Sequence, residues 1–77
     1  MPGNLITGRQ LKAARALAGI TQEELARSAD LHVNSIRYME RKDRITNTPS
    51  VVERVVLALE SLGVTPTEDP TPGVRRL

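Results

Sequence analysis

The residues best suited to chemistry lie between positions 22 and 44, where amide, guanidinium and imidazole side chains recur. Asn34 and Arg37 stand three residues apart, a spacing that places both on one face of a helix. An asparagine amide can pair with adenine through two hydrogen bonds, and an arginine guanidinium can bond guanine or a phosphate. Val33 carries methyl groups that can contact the methyl group of thymine. These residue types favour recognition by hydrogen bonding over a covalent reaction.

The composition of the 77-residue chain excludes several classes of functional site. The chain contains no Cys and 1 His, which excludes a disulfide scaffold, a thiolate zinc site, a cysteine nucleophile and a cluster of histidine ligands. No nucleophile is paired with a base, and no glycine-rich phosphate loop is present. We therefore expect no enzymatic activity, no cofactor and no metal ion.

Length and hydropathy predict one small cytoplasmic domain. No apolar run approaches the roughly 20 residues that span a bilayer, and the first residues lack the apolar segment of a signal peptide. The core must be built from aliphatic residues, because the chain has 1 Tyr and no Phe or Trp. Such a small core leaves little surplus stability, and a second chain is the remaining way to add to it. We therefore expect a dimer.

Helix signals predict two helices in the first part of the chain. Thr7 and Gly19 are suited to begin and to end a first helix over residues 7–18. Thr21, followed three residues later by Glu24, forms the capping-box pattern at the start of a short second helix.

Two further helices are predicted, from Val33 to Arg41 and over residues 51–62, the latter capped by Ser50. Asp30 tolerates the left-handed backbone of the turn before the third helix. Ile36 and Met39 should face inward. The buried face of the fourth helix repeats at the i, i+3, i+4, i+7 spacing and consists of Val52, Val55, Val56, Leu59 and Leu62.

The segment after Gly63 differs in composition, because it holds three of the 5 prolines. Residues 64–65 and 74–77 are predicted to form short strands on either side of a turn-rich stretch, or else to be disordered. We therefore divide the chain into a domain over residues 1–63 and a tail over residues 64–77. The expected fold class is all-α, with four helices and a short C-terminal tail that forms a strand or hairpin.

The second and third helices, with the short turn between them, form the candidate recognition unit. Ala26 is small enough to let the two helices cross closely. The segment TQEELARSADLHVNSIRYMER resembles the helix-turn-helix of the Xre family of lambda-repressor-like and Cro-like regulators. The similarity extends over residues 6–63 and more weakly over the tail, and it is greatest to very short bacterial members. It implies a four-helix DNA-binding domain that places its third helix in the major groove.

The resemblance also implies roles for individual residues. Gln22, which opens the second helix, would bond a DNA phosphate. The residues that would face base edges are His32, Val33, Asn34 and Tyr38. Those that would lie close to bases or phosphates are Ser35, Arg37 and Arg41, with Lys42 and Arg44 adding contacts to the DNA backbone.

Two positions depart from the pattern of that family. Asp30 stands where Gly is common, but Asp can adopt the same backbone, so we expect the fold to survive. His32 stands where Ser or Thr would cap the third helix, so we expect a weaker cap there.

Several of these residues also have a purely structural interpretation. The cations of the first helix (Arg9, Lys12 and Arg15) are more often a solvated face than phosphate contacts. His32 could be a surface residue at a turn, and Tyr38 could lie half-buried against the second helix. Asn34 and Arg37 have no other evident role.

The charge distribution favours DNA as the partner. Residues 1–44 hold 8 basic and 5 acidic groups, whereas residues 45–77 hold 3 basic and 4 acidic groups. The excess of +3 lies on the part that contains the third helix, as DNA binding requires. It is too small for tight binding by a monomer at cellular salt, which favours two copies on one site.

A surface for pairing is predicted on the fourth helix and the tail. Leu57 points away from the buried face, and Val74 and Leu77 lie in the tail, so we expect these residues to form a two-fold interface. The alternative is an incidental exposed leucine beside a disordered terminus.

The sequence thus predicts a DNA-binding transcriptional regulator, most often an autoregulatory repressor, that binds an operator as a homodimer. A chain of this length leaves no room for a sensor domain, so we expect regulation by occupancy. The alternative is a helix-turn-helix fold that binds another protein, as an antitoxin or anti-activator. A protein-binding face would favour exposed apolar residues on the third helix, where only Val33 and Tyr38 qualify.

Overall fold

Four helices and an antiparallel pair of strands make up the fold. The computed structural model of the protein describes residues 4–67 and 72–77. The helices are α1 (Gly8–Ala18), α2 (Gln22–Ser28), α3 (Val33–Glu40) and α4 (Pro49–Ser61), and the strands are β1 (Val64–Thr67) and β2 (Gly73–Arg76). The predicted fold class is confirmed. None of the helices in the described residues is both long enough and apolar enough to cross a membrane.

The tail forms a hairpin, which decides between its two predicted states. Val64 pairs with Arg76, and Pro66 pairs with Val74. The turn-rich stretch predicted between the strands falls in part on residues 68–71, which lie outside the described residues. β1 packs against α1 and α4, and the buried Val64 belongs to the core.

The core is formed where the four helices meet. Its largest fully buried side chains come from every helix and from β1, and they are Leu11, Leu25, Ile36, Met39, Val55, Leu59, Val64 and Pro66. All are aliphatic or Met, so the helices approach closely with no aromatic side chain between them. Ile36 and Met39 face inward as predicted, and this leaves the opposite side of α3 free.

Capping residues fix where α1 begins and ends and where α2 begins. The Thr7 hydroxyl accepts from the backbone N–H of Gln10, and the Gln10 side chain accepts in return from the backbone of Thr7. Thr21 and Glu24 form the predicted capping box at the start of α2, with both hydrogen bonds at 3.0 Å. Gly19 ends α1 in the left-handed conformation with φ 72°.

The capping box at α2 predicts a pH effect. Hydrogen bonds from Thr21 hold the pKa of the Glu24 carboxyl below its ordinary value. A carboxyl whose pKa is lowered by folding contributes stability at pH values above its unfolded pKa, and this stability is lost as the pH falls through the folded pKa. Thr21→Ala removes the hydroxyl but keeps the backbone N–H that contributes most to this shift, so we expect the Glu24 pKa to rise only part of the way to its ordinary value, as measured by NMR titration. An unchanged titration in this variant would show that the Thr21 hydroxyl does not contribute to the shift.

Two predictions about α4 are wrong. Ser50 is not its cap, because the helix begins at Pro49 with Thr48 as N-cap. Proline suits the first helical position, where its fixed φ fits and no N–H is needed. Leu62 is not part of the buried face, because α4 ends at Ser61 and Leu62 is 41% exposed at the C-cap. Ala58 is buried in the core alongside the predicted residues.

A buried side chain, Gln10, joins α1 to the segment before it and to the hairpin. Its Oε1 accepts from the backbone N–H groups of Ile6 at 2.6 Å and Thr7 at 2.9 Å. Its Nε2 donates to the carbonyl oxygens of Asn4, Thr67 and Gly73 at 3.0 to 3.1 Å. Five backbone groups from three parts of the chain therefore depend on one amide.

Replacing this amide by a carboxylate should destabilise the fold. Gln10→Glu keeps the acceptor but loses the Nε2 donor and places a negative charge beside three carbonyl oxygens. We expect the free energy of unfolding to fall by about 2 kcal/mol at neutral pH, measured by urea denaturation. The loss should shrink in acid, because a protonated carboxyl can donate again. A variant as stable as the original protein would show that Gln10 does not hold the hairpin.

Candidate nucleic-acid interface

The turn between α2 and α3 is fixed by contacts from both sides. Asp30 adopts the left-handed conformation with φ 57°, as predicted from its residue type. The backbone N–H of Leu31 donates to the carbonyl oxygen of Ala26 at 2.8 Å. Arg54 of α4 donates to the carbonyl oxygen of Asp30 at 2.8 Å and to its carboxylate at 3.1 Å. Because position 30 is Asp rather than Gly, the turn offers a carboxylate to Arg54 of α4.

The start of α3 is capped by an imidazole. The Nδ1 atom of His32 accepts from the backbone N–H of Asn34 at 3.1 Å. This bond requires the tautomer in which Nδ1 carries no proton. An imidazole nitrogen therefore takes the place of the Ser or Thr oxygen, and the exposed His32 has a structural role at the edge of the interface.

The outer face of α3 brings Asn34 and Arg37 together. Both residues are exposed, and Nη1 of Arg37 donates to Oδ1 of Asn34 at 3.3 Å. Nη2 of Arg37 lies 3.9 Å from a carboxylate oxygen of Glu23 on α2. The guanidinium thus spans the crossing of the two helices at the surface.

Tyr38 and Lys42 form a second contact at the end of α3. The Nζ atom of Lys42 lies 4.7 Å from the centre of the Tyr38 ring, and the ring is 40% exposed. A hydrogen bond with Lys42 and its positive charge hold the pKa of the Tyr38 hydroxyl below its ordinary value, with a smaller contribution from Thr46. Tyr38 therefore holds a cation at the surface.

This contact gives a prediction that can be read optically. Because Tyr38 is the one tyrosine of the chain, its ionisation can be followed by ultraviolet absorbance without overlap. We expect Lys42→Met to raise the Tyr38 pKa, because the cation that stabilises the phenolate is removed. Arg9→Met, which removes an exposed cation of α1, serves as the matched control and should leave the titration unchanged.

Gln22 is anchored by a buried ion pair. The Glu40 side chain is 2% exposed, and its oxygens accept from Nε and Nη2 of Arg15 at 2.5 and 2.9 Å. Nε2 of Gln22 donates to the same carboxylate at 3.1 Å. The hydrogen bond to Glu40 raises the pKa of Arg15, against the lowering effect of its burial. The prediction that Arg15 is a solvated cation is therefore wrong.

The remaining predicted interface residues lie at different depths. Val33 is partly buried against the core, and Ser35 is half-buried. Arg41 and Lys42 are exposed at the end of α3. Arg44 is exposed too, but it lines a cavity formed with residues 4–6 and the beginning of α4. The outer face of α3 is thus presented mainly by Asn34, Arg37 and Tyr38.

The comparison with known families agrees with this geometry. A family model described as Helix-turn-helix matches residues 11–68, which is most of the chain. The chain belongs to this helix-turn-helix family. The Xre, lambda-repressor-like resemblance is thereby confirmed, and the domains of this family are DNA-binding regulatory domains that are not typically enzymes. A search among curated proteins gives no significant match.

Sequence reasoning missed the side chains that support the helix-turn-helix from within. Arg15 and Glu40 are 25 residues apart, so no local spacing joins them. One signal was available, because Glu40 follows Ile36 by four residues and therefore lies on the buried side of α3. A carboxylate at a buried position indicates a cation nearby. Arg54 and Glu23 gave no such signal, because both lie at exposed positions.

Two of the three proposed pairing residues of this helix-turn-helix domain are exposed. Leu57 is 52% exposed and Leu77 is 65% exposed, whereas Val74 is half-buried against the core. Leu62, which was predicted to be buried, is also exposed. The backbone N–H of Leu77 donates to the carbonyl oxygen of Gly63 at 2.8 Å, which brings the end of the chain next to the end of α4.

Proposed function

We propose that this protein is a transcriptional regulator that binds operator DNA sequence-specifically through α3 in the major groove. The observation that carries the proposal is the arrangement of three side chains. Asn34 and Arg37 are exposed together on α3, and buried Glu40 anchors Gln22 at the start of α2. The first two can bond base edges, and the second amide hydrogen of Gln22 is free of Glu40 to bond a phosphate.

The proposed mode of action is occupancy of an operator in the bacterial cytoplasm. A protein bound at a promoter hinders polymerase, so repression of its own operon is the expected outcome. The protein-binding alternative has less support on α3. Val33 is partly buried against the core, which leaves Tyr38 as the exposed large apolar residue there in the described part of the chain.

We further propose that the operator is bound by a homodimer. The supporting observation is the exposure of Leu57, Leu62 and Leu77 on the part of the molecule formed by α4 and the hairpin. An exposed leucine is removed from water when a second copy covers it, which favours pairing. Two copies would also double the number of phosphate contacts, which compensates for the small positive charge of one chain.

The proposed dimer is tested by placing a charge in this surface. Leu57→Asp should make the protein monomeric at concentrations where the original protein sediments as a dimer, because burial of an unpaired carboxylate is costly. Ala13→Asp, which introduces the same side chain at an exposed position of α1, should leave the dimer intact. A Leu57→Asp protein that remains dimeric would exclude this surface.

The proposed DNA binding is tested by fluorescence anisotropy with DNA from upstream of the protein's own gene. A scrambled duplex and the Asn34→Ala and Arg37→Ala variants are measured in parallel at two salt concentrations. We expect tight, salt-sensitive binding to the native duplex, with an affinity reduced about tenfold or more in each variant. Equal, weak binding to both duplexes would instead indicate attraction to the DNA backbone alone.

A further inference from the structure

The hydrogen bond between Asn34 and Arg37 limits which base edge the outer face of α3 can read. We infer that the two side chains act as one unit that offers hydrogen-bond donors, and that this unit reads guanine rather than adenine. The inference rests on the proposed function and names the base that the same site selects.

The orientation of the Asn34 amide follows from its partner. A guanidinium has N–H donors and no acceptor, so the atom of Asn34 that lies 3.3 Å from Nη1 of Arg37 must be the oxygen. The NH2 group of Asn34 is therefore directed away from Arg37. A two-bond pair with adenine needs the amide oxygen and the NH2 group to face the base together, whereas here the oxygen faces the guanidinium of Arg37.

Arg37 contributes further donors to the same unit. The guanidinium has five N–H groups, and the bond to Asn34 uses one of them. Glu23 lies 3.9 Å from Nη2, on the side of α2, and holds the group at the crossing of the two helices. Asn34 and Arg37 thus leave N–H donors on one exposed helix face, with the remaining donors of the guanidinium next to one another and the amide oxygen turned toward Arg37.

The donors select among the bases by the pattern of acceptors in the major groove. Guanine presents two acceptors there, N7 and O6, whereas adenine presents the acceptor N7 beside the donor N6. Two neighbouring N–H donors can each bond an acceptor of guanine. On adenine one of them would face the N6 donor, which cannot accept a hydrogen bond. Cytosine presents its N4 donor, which this unit cannot accept. Guanine is therefore the base that satisfies the unit.

The test is selection from a library of duplexes with a randomised central region, followed by affinity measurements on the enriched duplex. We expect enrichment of a guanine whose preference disappears in both Asn34→Ala and Arg37→Ala. Replacing that guanine by 7-deazaguanine, which lacks the N7 acceptor, should weaken binding about tenfold. The double variant should lose little more affinity than either single variant, because the two side chains bond one base together.

A matched control separates base reading from general charge. Lys12→Ala removes an exposed cation of α1 and should leave the preferred base unchanged, whatever it does to the overall affinity. Enrichment of adenine at the position controlled by Asn34 would overturn the inference and leave the proposed function intact. Separate base pairs controlled by Asn34 and by Arg37 would overturn it in the same way. A library with no enriched sequence would overturn both.

Discussion

Replacing Arg15 by methionine is expected to lower the free energy of unfolding by about 3 kcal/mol. The change leaves the Glu40 carboxylate, whose side chain is 2% exposed, without its cation and with Gln22 as its remaining hydrogen-bond partner. An uncompensated charge in that position is costly because water cannot solvate it. Urea denaturation followed by circular dichroism measures the loss.

An exposed pair provides the matched control. Arg54 and Asp30 also form an ion pair, but their side chains are 46% and 98% exposed. Arg54→Met should therefore cost less than about 1 kcal/mol. Equal losses in the Arg15 and Arg54 variants would contradict the burial of the Arg15–Glu40 pair.

A double variant separates the effect on stability from the effect on DNA binding. Apolar residues often replace a buried ion pair without loss, so Arg15→Met combined with Glu40→Leu should recover most of the stability. Gln22 has lost its anchor in this protein, so DNA affinity should stay reduced although the fold has returned. Full recovery of both properties would show that Glu40 does not position Gln22.

Gly8→Ala is the second change with a large expected effect, about 3 kcal/mol of destabilisation. A Cβ atom at this position would lie 2.5 Å from the carbonyl oxygens of Glu40 and Lys42 and 2.6 Å from that of Met39. All three are backbone atoms at the end of α3 and cannot move aside as a flexible side chain can. The backbone N–H of Gly8 also donates to the carbonyl oxygen of Lys42 at 3.0 Å, and this bond would lengthen. Thermal unfolding measures the loss.

Gly19 gives the comparison for Gly8. A Cβ at Gly19 would meet no atom within 4 Å, but the residue has φ +72°, so Gly19→Ala costs about 1 kcal/mol from backbone strain alone. We therefore expect the Gly8 variant to be clearly the less stable of the two. The reverse order would show that α1 does not begin against the end of α3.

The parts of the fold that could be predicted from the sequence are those set by neighbouring residues. The capping box of Thr21 and Glu24 and the left-handed Gly19 and Asp30 each depend on a few adjacent positions. The error at the start of α4 has the same origin, since two hydroxyl residues flank Pro49 and the proline conformation decides which of them is the cap.

The parts that could not be predicted depend on distant residues. The sequence pattern indicates no special role for Gln10 in its helix. Its amide bonds to the carbonyl oxygens of Thr67 and Gly73 exist only because folding brings these distant residues to it. Helical periodicity identifies Asn34 and Arg37 as outward residues of α3. It does not show that they bond to each other, because side-chain pairing depends on rotamers that the sequence pattern does not fix.

DNA binding by the outer face of α3 and the start of α2 can be followed residue by residue in solution. The experiment records the backbone amide resonances of the isotope-labelled protein during titration with the duplex selected from the randomised library. We expect the largest shifts on Gln22 and on Asn34, Ser35 and Arg37. Shifts concentrated on α4 and β2, with these residues unchanged, would contradict it.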